Sequence, residues 1–239
     1  MTARTPRLYL LDVEGTVAPI SLVFEQLFPY ARAHFLAFLK DHKTEPAVVV
    51  DLHLLLAESQ AEVDATAPRI ADMGDLSDAI AYLSWLMDRD RKSTALKSLQ
   101  GKVWKAGFES GALKGTLFAD VPAALRRWAA RGQVAIYSSG SVEAQRLLFR
   151  YSIFWDLTPL IAGYFDTRTG PKQASSSYTA IAAAMHVEPD EVLFFSDVVR
   201  ELDPGREAGC QTRLVVREGN GPGADAHGHD VVDSFDEIQ

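Results

Sequence analysis

The hydrophobic positions of the chain form two kinds of pattern. Continuous apolar runs cover residues 8–11, 134–137 and 192–195, and such runs are typical of parallel strands that are buried on both faces. Segments between these runs carry apolar residues at helical spacing. The alternation of the two patterns predicts an α/β fold, a doubly wound parallel sheet of Rossmann-like type that is covered by helices.

The first strand is followed by a long segment that shows only helical spacing. Strand signals return near residue 116. We therefore predict a core domain from residues 1–17 and 116–239, with a helical domain of residues 18–115 inserted after the first strand. The predicted helices cover residues 24–39, the segment from Pro46 towards Pro68, and residues 75–87, 93–106, 121–131, 142–149 and 178–186, with further extended segments at 161–165 and 212–216.

Polar side chains follow each of the three apolar runs, where each strand would end. They are Asp12 with Glu14, Ser138 with Ser139, and Ser196 with Asp197. A role in capping a turn explains any one pair taken alone. Because ligands of open α/β sheets bind outside the carboxyl ends of the strands, three such pairs indicate one active site.

Composition and charge limit the classes of protein to which this chain can belong. The chain has 239 residues, of which 47% are hydrophobic and 23% charged, as in ordinary globular proteins. No apolar run approaches the ~20 residues of a membrane span, and the formal net charge of −8 argues against nucleic acid as a partner. The single Cys210 and the lack of a signal-peptide pattern lead us to expect a cytoplasmic protein.

Two other sequence patterns give little or no indication of a binding site. No GxxxxGK[ST] or GxGxxG loop adjoins the strand ends, so nucleotide binding by a glycine-rich loop is not supported. Segment 219–228 is rich in glycine, and His227 and His229, which are separated by Gly228, are a weak candidate metal pair. The pattern favours a solvated loop over a metal site there.

Four motifs resemble those of a known enzyme group. They are, in chain order, Asp12-Val-Glu-Gly-Thr16, the segment Tyr137-Ser-Ser-Gly-Ser-Val-Glu-Ala-Gln-Arg-Leu-Leu-Phe149, Lys172 ahead of Ser177-Tyr178, and Ser196-Asp197 with Glu201-Leu-Asp203. In these motifs the chain resembles the haloacid dehalogenase superfamily and, within it, the enolase-phosphatase E1 (acireductone synthase) family. Glu14 stands where most superfamily members have a second aspartate, which is the E1 variation.

The resemblance implies a fold, a cofactor and a reaction. The fold would be a haloacid dehalogenase-like core with an inserted helical cap, in a monomer that binds one Mg²⁺ ion. The substrate would be a small phosphorylated metabolite, 2,3-diketo-5-methylthiopentyl 1-phosphate. The enzyme would convert it to the enol phosphate and then remove the phosphate to give an acireductone, within methionine salvage.

The resemblance also implies a role for each site residue. Asp12, Glu14 and Lys172 would be catalytic, with Asp12 as the nucleophile. Asp12, Glu14 and Asp197 would hold Mg²⁺. Phosphate would be bound by Ser138, Ser139, Gly140 and Lys172. We expect Glu14 to ligate the ion through its main-chain carbonyl, because a carboxylate bound to a cation could not donate a proton to the leaving alcohol.

Two alternatives to this function are open. A generic phosphatase of the same superfamily would act on another small phosphorylated metabolite. The second alternative is a catalytically silent module that binds a metal and phosphate. Receiver domains, for example, also carry an aspartate at a strand end of a parallel sheet.

Overall fold

The computed structural model describes residues 4–72, 74–218 and 225–238. Within these residues six strands form one parallel sheet. The strands are β1 (Leu8–Leu11), β2 (Gln133–Tyr137), β3 (Gly163–Phe165), β4 (Val192–Ser196), β5 (Gln211–Val215) and β6 (Asp230–Val232). Their order across the sheet is β3-β2-β1-β4-β5-β6, which confirms the predicted parallel α/β sheet.

Eight α-helices are present in the described residues. They are α1 (Phe28–His42), α2 (Pro46–Ala61), α3 (Leu76–Asp88), α4 (Thr94–Glu109), α5 (Val121–Ala129), α6 (Val142–Arg150), α7 (Ser175–Ala184) and α8 (Val199–Glu207). A π-helix, Leu22–Leu27, leads into α1. Among the helices that the structure describes, none combines the length and the apolar character that a bilayer span requires.

The chain divides into two compact units. The core unit comprises Met1–Val23 and Lys114–Gln239 and holds the sheet with α5 to α8, and the helical unit comprises Phe24–Leu113 and holds α1 to α4. That the helical unit acts as a cap over the active site stays a prediction.

Both faces of the sheet are covered, which explains the continuous apolar runs. All residues of β1 and β4 are buried. On one face Leu10 and Phe194 share a hydrophobic cluster with Tyr178 of α7. On the other face Tyr9 stacks on Trp128 of α5, with ring centroids 5.0 Å apart. Trp128 is completely buried, so truncating it to alanine would cost about 3–5 kcal/mol of unfolding free energy.

The helical unit has its own core. Ser93 caps α4 by accepting the N–H of Leu96 at 2.9 Å, as expected for a serine before a helix. Asp51 of α2 is buried, and its charge is paired with Lys102 at 2.5 Å. The buried apolar residues at helical spacing include Phe35, Leu39, Leu52, Leu55, Tyr82, Leu83, Leu86, Leu99 and Val103.

Three details differ from the sequence-based expectation. The second helix ends at Ala61 and does not continue towards Pro68. No strand was predicted at β6, which is too short for a periodic signal and leaves two of its three residues exposed. No helix was predicted at α8, where Pro204 and Gly205 lower the helical propensity.

Candidate active site

The carboxyl ends of three neighbouring strands bring the predicted site residues to one edge of the sheet. Leu11 of β1 lies opposite Ile136 of β2 and Phe195 of β4. Asp12 comes directly after β1, is only 3% exposed, and donates its N–H to the carbonyl of Phe195 at 3.0 Å. Ser138 and Asp197 follow β2 and β4, and so belong to the same edge.

The segment after Asp12 is a tight turn. The carbonyl of Val13 accepts the N–H groups of Thr16, Val17 and Ala18 at 3.2, 3.0 and 2.9 Å. Gly15 has a φ angle of 78°, a left-handed conformation that glycine adopts without the penalty of a Cβ atom. The turn therefore fixes where Asp12 and Glu14 stand relative to each other.

Thr16 joins this turn to the end of β4. The residue is completely buried, and its Oγ1 accepts the N–H of Asp197 at 3.0 Å. The two acidic segments are consequently linked by a direct hydrogen bond between a side chain and the main chain.

A buried lysine pairs with two carboxylates in the site. The ammonium group of Lys172 contacts Asp12 and lies 2.8 Å from Oε2 of Glu201. Ser196 donates its hydroxyl to the same Oε2 at 3.0 Å. Burial alone would lower the pKa of Lys172, but the charges of Asp12 and Glu201 outweigh it and raise that pKa above its usual value. Lys172 is therefore a permanent cation in this site.

Hydroxyl groups hold the main chain that presents Lys172. Three consecutive carbonyls each accept a hydroxyl at 2.8 Å, and the pairs are Tyr137 with Gly170, Ser177 with Pro171, and Tyr178 with Lys172. The hydroxyl of Tyr178 also lies 2.8 Å from the carbonyl oxygen of Glu201. Tyr178 thus connects the main chains of both ion-pair partners.

Two acidic residues of the site, Glu14 and Asp197, have raised pKa values. Burial first, and then the charge of Asp12, raises the pKa of Glu14 above its usual range. Burial, followed by the charges of Asp12 and Glu201, raises the pKa of Asp197 to about 7. One lysine does not compensate this concentration of carboxylates, so the site favours additional positive charge.

The carboxylates fit a divalent cation. Oδ1 of Asp197 is buried and has no hydrogen-bond partner among the described residues. In the described ranges, no three side chains of His, Cys, Asp or Glu are arranged to hold a metal ion by themselves. A hard cation such as Mg²⁺ needs only one or two carboxylates, with carbonyl, water or phosphate oxygens as its other ligands. Asp12, Asp197 and the carbonyl of Glu14 match that donor set.

The loop after β2 is arranged to receive an anion. Ser138 is buried and its Oγ accepts the N–H of Gly140 at 3.1 Å, which leaves its O–H free to donate. The side-chain amide of Gln145 donates to the carbonyl of Gly140 at 2.9 Å, and the side chain of Ser139 is exposed. The loop leads into the amino-terminus of α6, where the helix dipole favours negative charge.

Comparisons with known proteins decide the family. The family model of haloacid dehalogenase-like hydrolases matches residues 6–209. Enolase-phosphatase E1 of Synechococcus elongatus is 50% identical over 230 residues, 96% of each chain. Enolase-phosphatase E1 of Azotobacter vinelandii is 45% identical over 234 residues, 98% of this chain and 97% of the relative. The chain belongs to the enolase-phosphatase E1 family of haloacid dehalogenase-like hydrolases.

Solved structures of similar proteins agree with this fold. The crystal structure of the Unknown transcript 4 protein of Saccharomyces cerevisiae has a TM-score of 0.79 and 34% identity, covering 98% of this chain and all of that chain. A dehalogenase at 18% identity has a TM-score of 0.57 over 98% of this chain and 96% of its own, and this likeness shows the fold alone. The resemblance inferred from the four motifs, and the haloacid dehalogenase fold that it implied, are confirmed.

Some residues of this candidate site have no role assigned from the sequence. Glu201 was quoted only as part of the fourth motif, although its spacing of four residues from Asp197 places it near the start of α8. Thr16 and Tyr178 also stood in the motifs without a role. A hydroxyl or carboxylate inside a motif does not reveal its hydrogen-bond partner, because that partner is set by the packing.

The histidines near the carboxyl end are outside this site. His229 is buried and lies 2.6 Å from Oγ1 of Thr212 and 3.1 Å from Asp203, while the exposed His227 lies 2.8 Å from Asp203. The solvated-loop interpretation is therefore wrong for His229. Residues 219–224 of the glycine-rich segment lie outside the described residues.

Proposed function

We propose that this protein is a magnesium-dependent enolase-phosphatase of methionine salvage. It converts 2,3-diketo-5-methylthiopentyl 1-phosphate to the enol phosphate, and then hydrolyses that compound to the acireductone 1,2-dihydroxy-3-keto-5-methylthiopentene. The observation that carries the proposal is the buried Asp12 at the end of β1, paired with Lys172 and on the same edge as Asp197. Relatives named Enolase-phosphatase E1, 41–50% identical over most of the chain, support the substrate.

Asp12 supplies the nucleophile in the dephosphorylation step. One of its carboxylate oxygens attacks phosphorus, the bond from phosphorus to the substrate oxygen breaks, and an aspartyl phosphate forms. A water molecule then attacks phosphorus, which releases inorganic phosphate and restores Asp12. Splitting one difficult hydrolysis into two substitutions is the reason for using a carboxylate.

Glu14 moves the protons. Burial and the charge of Asp12 raise its pKa and so favour the protonated form, which suits the carboxyl group to protonate the leaving substrate oxygen. The resulting carboxylate then accepts a proton from the attacking water. This double role requires that Glu14 contributes to cation binding through its main-chain carbonyl.

Cationic and hydrogen-bonding groups hold the phosphate. Lys172 donates to a phosphate oxygen as a charged group, and the hydroxyls of Ser138 and Ser139 and the main-chain amides near Gly140 donate to the others. Mg²⁺, held by Asp12, Asp197 and the carbonyl of Glu14, would offset the repulsion between Asp12 and the phosphate dianion. The monomeric state and the cytoplasmic location expected from the sequence stay predictions.

The test follows both half-reactions at once. The purified protein is incubated with the diketo phosphate and Mg²⁺ while enol absorbance and inorganic phosphate are recorded, with a chelator in a parallel sample. We expect the enol to form before phosphate appears, and both to need Mg²⁺. Phosphate release from simple monoesters alone would indicate a generic phosphatase, and no release from any substrate would indicate a silent binding module.

A further inference from the structure

Arg217 is a buried cation that follows β5. Its side chain is 5% exposed, and its guanidinium lies between two aromatic rings, 4.6 Å from the centroid of Phe118 and 4.4 Å from that of Phe235. A guanidinium stays charged at every physiological pH. Burying it is therefore costly unless its donors are used.

The guanidinium of Arg217 donates a hydrogen bond to Thr16, a residue of the tight turn that follows Asp12. Its Nε donates to the carbonyl of Thr16 at 3.1 Å, and its Nη1 donates to Asp120 at 2.7 Å and to the carbonyl of Asp233 at 3.1 Å. Its Nη2 is buried without a hydrogen-bond partner in the part of the chain that the structure describes. An unsatisfied buried nitrogen opposes stability, so stability alone does not explain the arginine.

Thr16 transmits this contact to the acidic residues. Its carbonyl is held by Arg217, its N–H by the carbonyl of Val13 at 3.2 Å, and its Oγ1 receives the N–H of Asp197 at 3.0 Å. The end of β5 is thereby connected to the turn after β1 and to the end of β4. Asp12 and Asp197 stand at the two segments that Thr16 joins.

We propose that Arg217 is a positioning residue of the active site, which acts through Thr16 to fix the spacing between Asp12 and Asp197 and so sets the affinity for Mg²⁺. The inference rests on the proposed function, because that function requires the two carboxylates to share one cation. Groups that orient metal ligands without touching the metal commonly change metal affinity or activity about 10- to 100-fold when they are removed.

A purely structural role for Arg217 makes a different prediction. Arg217 also contacts the carboxyl-terminal segment at Asp233 and Phe235, and the start of α5 at Asp120. If these contacts were its whole contribution, its loss would lower the melting temperature and leave the affinity for Mg²⁺ unchanged.

The variants are Arg217→Met, which removes the donors, and Arg217→Lys, which keeps a charge without the planar fork. Arg213→Met is the matched control, since Arg213 lies on β5 and contacts Asp230 at 3.1 Å and the carbonyl of Thr212 at 2.9 Å. Mg²⁺ binding is measured by titration calorimetry, and kcat, KM and melting temperature are measured on the same preparations.

We expect Arg217→Met to weaken Mg²⁺ binding roughly 10-fold and to lower kcat, Arg217→Lys to fall between it and the parent, and Arg213→Met to bind Mg²⁺ like the parent. Parent-like Mg²⁺ binding by Arg217→Met, or an equal loss in Arg213→Met, would overturn the proposal. If Arg217→Met does not fold, the Mg²⁺ affinities of Arg217→Lys and Arg213→Met are compared instead. Weaker binding by Arg217→Lys alone supports the proposal, and equal affinities overturn it. A parent protein that neither binds Mg²⁺ nor releases phosphate would contradict the proposed function instead.

Discussion

The ammonium group of Lys172 forms a buried ion pair with Asp12, which lies 160 positions earlier in the chain. Glu201 is the second partner of the same ammonium group, so two carboxylates share one cation. The three side chains together carry a net negative charge. An incoming phosphate is therefore repelled until further positive charge enters the site, which is the physical reason for proposing a divalent cation there.

Replacing Asp12, the proposed nucleophile, should separate the two half-reactions. We expect Asp12→Asn to stop phosphate release, because an amide is a poor nucleophile. Enolisation does not use that nucleophile, so enol absorbance should still rise at a reduced rate. Enol absorbance and inorganic phosphate are followed in parallel, with the exposed Asp41→Asn as the control. Phosphate release by Asp12→Asn near the parent rate, with deamidation excluded by mass, would refute the covalent mechanism.

Replacing Glu14 tests how it participates in metal binding. We expect Glu14→Gln to slow phosphate release by ~10²–10⁴-fold, the usual contribution of a general acid and base. Mg²⁺ affinity measured by calorimetry should remain, because glutamine keeps the main-chain carbonyl. A large loss of Mg²⁺ affinity in this variant would show that the side chain of Glu14 is a ligand.

Removing the buried lysine should destabilise the fold. Lys172→Met leaves Asp12 and Glu201 without a counter-charge, and breaking a buried pair in this way costs about 3–5 kcal/mol of unfolding free energy. Adding Glu201→Gln removes one uncompensated charge and should restore part of that stability. Urea denaturation of the parent, both single variants and the double variant gives the coupling energy. Strictly additive effects would contradict direct pairing of these residues.

Stability without metal should depend on pH through Asp197. Its pKa is raised from 3.8 to about 7, so the folded state holds a proton that the unfolded state has lost between those values. The free energy of unfolding contributed by Asp197 therefore falls as pH rises from about 4 through 7. Mg²⁺ binds the ionised form and should stabilise more at about pH 8 than at about pH 6.

Denaturation in the presence of chelator, at both pH values, measures this effect. Asp197→Asn is the control, since an amide does not titrate. The difference in stability between parent and variant should change with pH in the stated direction. If the parent instead gains stability relative to the variant as pH rises, the carboxyl group of Asp197 is not held in its protonated form by the fold.

Two tyrosines with buried hydroxyl groups, Tyr178 and Tyr164, offer a matched pair of substitutions. Tyr178→Phe leaves the carbonyls of Lys172 and Glu201 without their hydroxyl partner and should cost ~1–3 kcal/mol. Tyr164 has a buried hydroxyl with no partner among the described residues, so Tyr164→Phe should be neutral or stabilising. Thermal denaturation compares them, and equal losses in both would contradict a specific role for the Tyr178 hydroxyl.

The sequence by itself determined the fold class and the family. Parallel strands buried on both faces require continuous apolar runs, so β1, β2 and β4 are visible as such in the chain. The polar residues after these runs, together with the glycine needed at position 15, mark the sheet edge where the candidate site lies. These features can be predicted from short segments of sequence, because the pattern of adjacent residues indicates burial, strand length and backbone conformation.

Only the tertiary structure decided which of these residues contact one another. Three contacts depend on strand order and on the packing of helices against the sheet. They are the contacts of Lys172 with Glu201, of Thr16 with Asp197, and of Arg217 with Thr16. The spacing of residues along the sequence does not reveal the order of the strands across the sheet. For the same reason, β6 was found only in the structure, since this short strand gains its hydrogen bonds from β5 and not from a hydrophobic pattern of its own.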